Sequence, residues 1–200
     1  MNRATHIACK LRQIGFTMIE LLITLAVLAI LLAIGIPSFA GLMASTQVTN
    51  ATNELLSAFA QARSEAIRRG QRVTICISGN GAQCTNAGNW DQGWIIFSDA
   101  TRAGNVANVD AGEVIIHNNR INLTGITIQG AAALPRYISF SSDGQSRTLA
   151  GAIQAGNIEV CSTSTALSNN NRARRLLINA SGQVIMTQPA NINIACPPPP

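Results

Sequence analysis

Lysine is almost missing from this chain, and after Lys10 it is missing altogether. Arg3, Lys10 and Arg12 fall at the very start. Of 14 basic residues that leaves 11, all arginine, against 9 acids, a balance of +2 out of the formal +5. A remainder so nearly neutral excludes a nucleic-acid binder that works through overall charge; any such role must come from local clustering. The C-x-x-C spacing is absent as well, and His117 is the only histidine after His6. These absences speak against a zinc site. Asp91, Asp99 and Asp110 lack the spacing of a calcium loop and read as solvated loop residues. Gly79, Gly81 and Gly88 read as turn glycines, not a phosphate cradle. His117 has no serine or cysteine motif beside it, so no catalysis and no cofactor are expected. No internal repeat is visible.

What is present is one long apolar run, "GFTMIELLITLAVLAILLAIGIP", at 15–37. Phe16 to Ile36 would make a helix of about 31 Å, enough to cross a bilayer core. The basic residues ahead of it place the start of the chain in the cytoplasm and the rest outside. Glu20 is the anomaly. An ionised side chain inside hydrocarbon costs about 2.5 to 3.5 kcal/mol on lenient scales, and the run holds no cation to pair with it. Neither a secretory signal nor a plain anchor explains it.

Pro37 is expected to bend or break the helix. Beyond it Val48, Ala51, Leu55, Phe59 and Ala62 recur at three- and four-residue steps, and Gly70 is placed to cap the helix end. "RVTICI", "WIIFSD", "EVIIH", "GITI", "RYISFS", "IEVCS", "RRLLIN" and "GQVIMT" then read as strands, with "SSDGQS" and "NASGQV" as hairpin turns. The expected fold is α+β: a long N-terminal helix packed on an antiparallel sheet. Trp90 and Trp94 read as a plug between loop and sheet. Arg63, Arg68, Arg69 and Arg72 read as a solvated face near the helix C-terminus.

Cys76, Cys84, Cys161 and Cys196 are an even set beyond the apolar run, which points to two disulfides in an oxidising compartment. Of the three pairings open to four cysteines, locality favours Cys76–Cys84, which leaves Cys161–Cys196. In "NNNRARRLL", Arg172, Arg174 and Arg175 crowd together with no acid nearer in sequence than Glu159. That pattern suits either a phosphate clamp or a strand edge protected by charge.

"GFTMIELL" resembles the cleavage motif of type IV pilins and type II secretion pseudopilins. The resemblance implies that a prepilin peptidase cuts after Gly15 and methylates Phe16, and that Glu20 meets the new terminal amine of a neighbouring subunit. The missing cation is then made by proteolysis and supplied by a second copy. It also implies a division into a leader (1–15), a membrane and filament-core helix (16–37), an amphipathic helical half (38–70) and a β-rich pilin domain (71–200). "FAQARSEAIRRGQRVTIC", "WDQGWIIFSD" and "RARRLLINASGQV" are similar to the pseudopilin H and FimT group of minor pilins. DNA-uptake members of that group carry a Gly-Arg-x-Arg loop; here Arg172 and Arg174 match its arginines, and Asn171 stands where its glycine would be. The expected role is a minor pilin that captures extracellular DNA for uptake. A FimU-like subunit that primes assembly and a type II secretion pseudopilin are the alternatives. Implied partners are other pilins, the peptidase, DNA, and the inner membrane before assembly, with the domain periplasmic and then on the pilus or cell surface.

Overall fold

The computed structural model describes residues 15–101, 106–120, 123–132, 134, 136–168, 171–189 and 196. It divides into two compact units, Met1–Phe39 and Ala40–Pro200; most of the expected leader lies outside the described residues. One helix, α1 (Met18–Arg69), contributes to both units. Position 37 is helical, so the proline does not end the helix.

In the first unit the helix opens with Thr17, whose hydroxyl accepts a hydrogen bond from the Glu20 backbone N–H at 3.3 Å. That is the geometry of an N-cap. With an acid three residues on, Thr17 and Glu20 have the spacing of a capping box, and the carboxylate complements the helix dipole.

In the second unit the helical stripe predicted from spacing is the buried one: Val48, Ala51, Leu55, Phe59, Ala62 and Ala66 are all enclosed. Gly70 ends the helix with a φ of 63°, and its N–H bonds the Ile67 carbonyl. A left-handed residue there suits glycine alone at no steric cost.

Eight strands follow: β1 (Val73–Ile77), β2 (Trp94–Ser98), β3 (Ile115–Asn119), β4 (Ile126–Gly130), β5 (Tyr137–Phe140), β6 (Gly156–Ser162), β7 (Ala173–Ile178) and β8 (Val184–Thr187). They form two antiparallel sheets, not the single sheet expected, in the orders β3-β2-β1-β5 and β4-β6-β7-β8. The reason is a switch in partner. β5 returns to the free edge of β1, while β4 skips it to pair with β6. Strand periodicity alone cannot reveal such a crossing, because the pattern within a strand tells which of its faces is buried and not which strand it pairs with.

Both sheets contribute to one core around Phe59, with Ile75, Ile96, Ile128, Val160 and Leu176 among its members. Trp90, on a short 3-10 turn, meets Phe59 edge-to-face at 5.8 Å, and both tryptophans are fully buried, as a plug requires. β1 and β2 are buried on both faces. Their second face carries a smaller cluster of Cys76, Ile95 and Phe97 under Ala107 and Leu149. This explains why "WIIF" is unbroken rather than alternating.

Two polar expectations are overturned by burial. Asp99 is enclosed, not solvated: Thr74 Oγ1 donates to its Oδ2 at 2.6 Å. Its pKa is raised, first by desolvation, against the hydrogen bond from Thr74 and the charge of Arg72. The four helix-end arginines also do not share one solvated face. Arg68 and Arg69 pair with Glu65, but Arg72 is buried and donates to the Leu149 carbonyl. Arg63 donates through Nε to the Gly144 carbonyl at 3.0 Å and through Nη2 to that of Ser181 at 3.1 Å. Those carbonyls belong to the two turns read as hairpins, so one guanidinium ties α1 to a turn from each sheet. The turns meet closely: a Cβ on Gly182 would stand 2.1 Å from the Gly144 carbonyl oxygen.

Candidate functional site

Two regions carry the residues singled out from sequence. The first is the apolar stretch at 15–36. Every residue in it is exposed, on all sides of the helix, from Phe16 at 77% onward. It is long and apolar enough to cross a membrane. A helix apolar all round is stable only in an apolar surrounding, whether lipid or other helices. Among the described residues Glu20 has no cationic partner.

The second region is the β6–β7 connection. Here the structure separates the three arginines that the sequence placed together. Arg172 is 1% exposed, and its Nη2 donates to the Cys196 carbonyl at 3.0 Å. Arg175 lies across from Glu159 on β6 and forms an ion pair at 2.6 Å. Arg174 is half-buried and donates to the carbonyls of Ala173 and Asn171 at 2.8 and 3.5 Å. A compact three-arginine clamp is therefore not what this conformation presents. Glu159 is distant in sequence but sits at the register position of Arg175, which is why a search along the chain missed the pairing.

Cys76 is bonded to Cys84 and Cys161 to Cys196. The first bond closes the loop after β1. The second ties Cys196 to β6, in a small apolar cluster with Ala173. His117 lies exposed on β3. No group of metal-binding side chains occurs among the described residues.

Comparison with known proteins places these features. The family described as type II transport protein GspH matches residues 51–182, nearly two thirds of the chain. The chain belongs to the GspH family. A prokaryotic N-terminal methylation motif matches residues 10–36. A fimbrial protein of Pseudomonas aeruginosa is 46% identical over 61 residues, 30% of this chain and 39% of the relative; the chain thus spans about two fifths of the length of the curated relatives it matches. The crystal structure of the type IV minor pilin FimU from Pseudomonas aeruginosa superimposes with a TM-score of 0.52 over 74% of this chain and 96% of that one, at 16% identity. A second crystal form of FimU gives 0.51. At that identity the likeness speaks for fold. Members of this family are structural, pilin-like proteins, and the FimU structures show that this chain shares their fold. The methylation motif covers Gly15, Phe16 and Glu20, so the anomalous carboxylate lies inside the matched segment.

Thr17, the cap of this helix, is a residue that the sequence signals but that was not singled out from it. Its signal is Thr-x-x-Glu before an apolar run, a spacing that gives the glutamate a local place in the helix cap.

Proposed function

We propose that this chain is a minor pilin that is cut after Gly15, methylated at Phe16, and built into a filament or its tip through residues 16–37, acting there as a structural subunit that primes assembly. One observation carries the reading: an apolar helical surface exposed on every side with a single carboxylate near its start. Lipid satisfies the apolar surface before assembly, and neighbouring helices satisfy it afterwards. Only a second chain satisfies Glu20, because its partner is a terminal amine that exists after cleavage. A charge pair in that setting is costly to break and so fixes register more than it adds stability. Intact-mass analysis of the membrane-extracted protein tests the reading. The expected mature chain starts at Phe16 with one added methyl group; an uncut chain, or a start elsewhere, refutes it.

A second reading, capture of extracellular DNA, is favoured by Arg174. It is only half-buried, and the groups it holds are backbone carbonyls, which a phosphate oxygen outcompetes as acceptor for a guanidinium. With Arg172 enclosed and Arg175 paired to Glu159, binding should be weak. A log–log salt slope near −1, at about −0.9 per phosphate contact, is expected. An Arg174→Gln variant should abolish it; unchanged binding by that variant refutes the reading.

A further inference from the structure

The second face of the β1–β5 pair opens into a small pit. Cys76 and Tyr137 are register partners there. The Cys76–Cys84 disulfide, Val106, Ala107 and Tyr137 form the walls, around a volume of about 130 Å³. Small-molecule sites usually offer about 300 Å³ or more, so this one takes a single side chain. Asn86 and Arg136, both exposed, also line it. No acid does, and the Arg136 guanidinium holds no hydrogen bond or ion pair among the described residues. A pocket for one side chain beside an unpaired cation has the character of an anchor point in a protein interface. Its complement is an apolar tip for the pocket with a carboxylate next to it for the guanidinium.

The chain itself carries a group of that chemistry at the other end of the same sheet. Cys76 pairs with Ile95 near the start of β2, whereas Ser98, at the end of β2, donates its N–H to the Val114 carbonyl at 3.0 Å. Asp110 and Glu113 close a turn just ahead of Val114, the Glu113 N–H donating to the Asp110 carbonyl at 3.1 Å. Thr101 Oγ1 stands within hydrogen-bond reach of both carboxylates, at 3.0 and 2.9 Å, which holds the two charges side by side. Neither carboxylate is in an ion pair among the described residues. Val114, next in sequence to Glu113, is 57% exposed. Acid and apolar tip are thus adjacent, as the pit requires.

We infer that the turn at 110–114 of one copy docks in the pit of a second copy: Val114 enters between Tyr137 and the disulfide, and the carboxylates of Asp110 and Glu113 meet Arg136. The inference rests on the filament-subunit reading above and names a contact for its β domain. Knob and pit are different surfaces, so the contact is head-to-tail and leaves a free knob at one end and a free pit at the other. A rotation that does not close extends such a contact into a helical filament. An exposed charge pair is weak by itself; strength comes from the apolar anchor, and orientation from the charges.

The shortage of lysine supplies the test. Beyond Lys10 the chain has none, so Arg136→Lys keeps the charge and introduces one reactive amine at the pit. A carbodiimide joins an amine to a carboxylate in direct contact, without a spacer. The full chain in detergent is treated as an equal mixture of isotope-labelled and unlabelled protein, and the products are mapped by mass spectrometry. Mixed-isotope links from position 136 to Asp110 or Glu113 are expected, and the parent should show none from that position. Adding Val114→Asn, which leaves both carboxylates in place, should lower the yield about threefold to tenfold. Links that are absent, confined to one chain, or directed to another carboxylate such as Glu54 overturn the proposal. So does a yield that Val114→Asn leaves unchanged. The same spectra give the mature start. Failure of the link in chains that begin at Phe16 overturns the contact alone, whereas a start elsewhere refutes the subunit reading and the proposal with it.

Discussion

The two stretches of α1 have the same backbone and opposite surroundings. Residues 16–36 expose apolar side chains all round, while Val48 to Ala66 bury a single stripe against sheets of the same chain. Helix propensity does not distinguish them; what differs is where the apolar surface finds its partner. The second stretch is completed within the molecule, so its substitutions should report on stability. On the proposed reading the first is completed by lipid or other chains, so its substitutions should report on assembly.

Glu20→Ala gives the widest separation of the two. It should remove the subunit from filaments while leaving cleavage and the unfolding midpoint nearly unchanged, since its carboxylate forms no hydrogen bond or ion pair among the described residues and complements the helix dipole only at an exposed end. Immunoblotting of sheared filaments against whole cells reads the first effect, and thermal unfolding in detergent the second. A lowered midpoint with normal incorporation would invert the comparison.

Phe59→Ala is the counterpart in the buried stretch. Loss of a fully enclosed ring stacked edge-to-face on Trp90 should cost about 3 to 5 kcal/mol, measured by denaturant unfolding. Leu25→Ala, a similar truncation in the exposed stretch, should stay within about 0.5 kcal/mol. Equal effects would mean that the exposed stretch has a partner within the chain.

The disulfides sharpen the picture inside the β domain. Each should contribute about 2 to 4 kcal/mol, and the one spanning 35 residues should exceed the one spanning 8 by about 1 kcal/mol if chain entropy dominates. Paired Cys→Ser variants compared by unfolding decide this. Arg63→Ala should cost about 2 kcal/mol, the scale of a charge-assisted hydrogen bond. Arg63→Lys should recover little, because an ammonium lacks the fork that reaches two carbonyls.

The smallest effect concerns Asp99. Its folded pKa is raised above the ordinary 3.8, so its contribution to stability is fully present below that value and is lost as pH rises through the folded pKa. The parent should therefore lose stability relative to Asp99→Asn as pH is raised from about 4 towards 7. A flat difference between the two would show that Arg72 and Thr74 fully compensate the burial.

Much of this was legible in the residues. The stripe from Val48 to Ala62, the cap at Gly70, the segments that became eight strands and the burial of Trp90 and Trp94 all follow from periodicity and turn chemistry, which act over a few residues. The capping spacing of Thr17 and Glu20 was equally local, and readable. The sheet count was not, because β5 chooses β1 over β4 through contacts distant in sequence. The arginine loop failed for the same reason. Arg172, Arg174 and Arg175 are adjacent in the chain, and adjacency suggested one charged patch. Cys196 and Glu159 then divided the three, and nothing near them in sequence announces either.

The sequence by itself determined that this is an α+β chain carrying a membrane-length apolar helix with a lone acid at Glu20, since an apolar run and a lone acid are local facts with fixed solvation costs. Only the tertiary structure decided which polar groups are solvated. Arg63, Arg72, Asp99 and Arg172 all looked like surface residues, and each is instead held by a carbonyl or hydroxyl from another element. Whether a charge meets water or a partner depends on what folds over it, and that is set by strand pairing and a disulfide far along the chain.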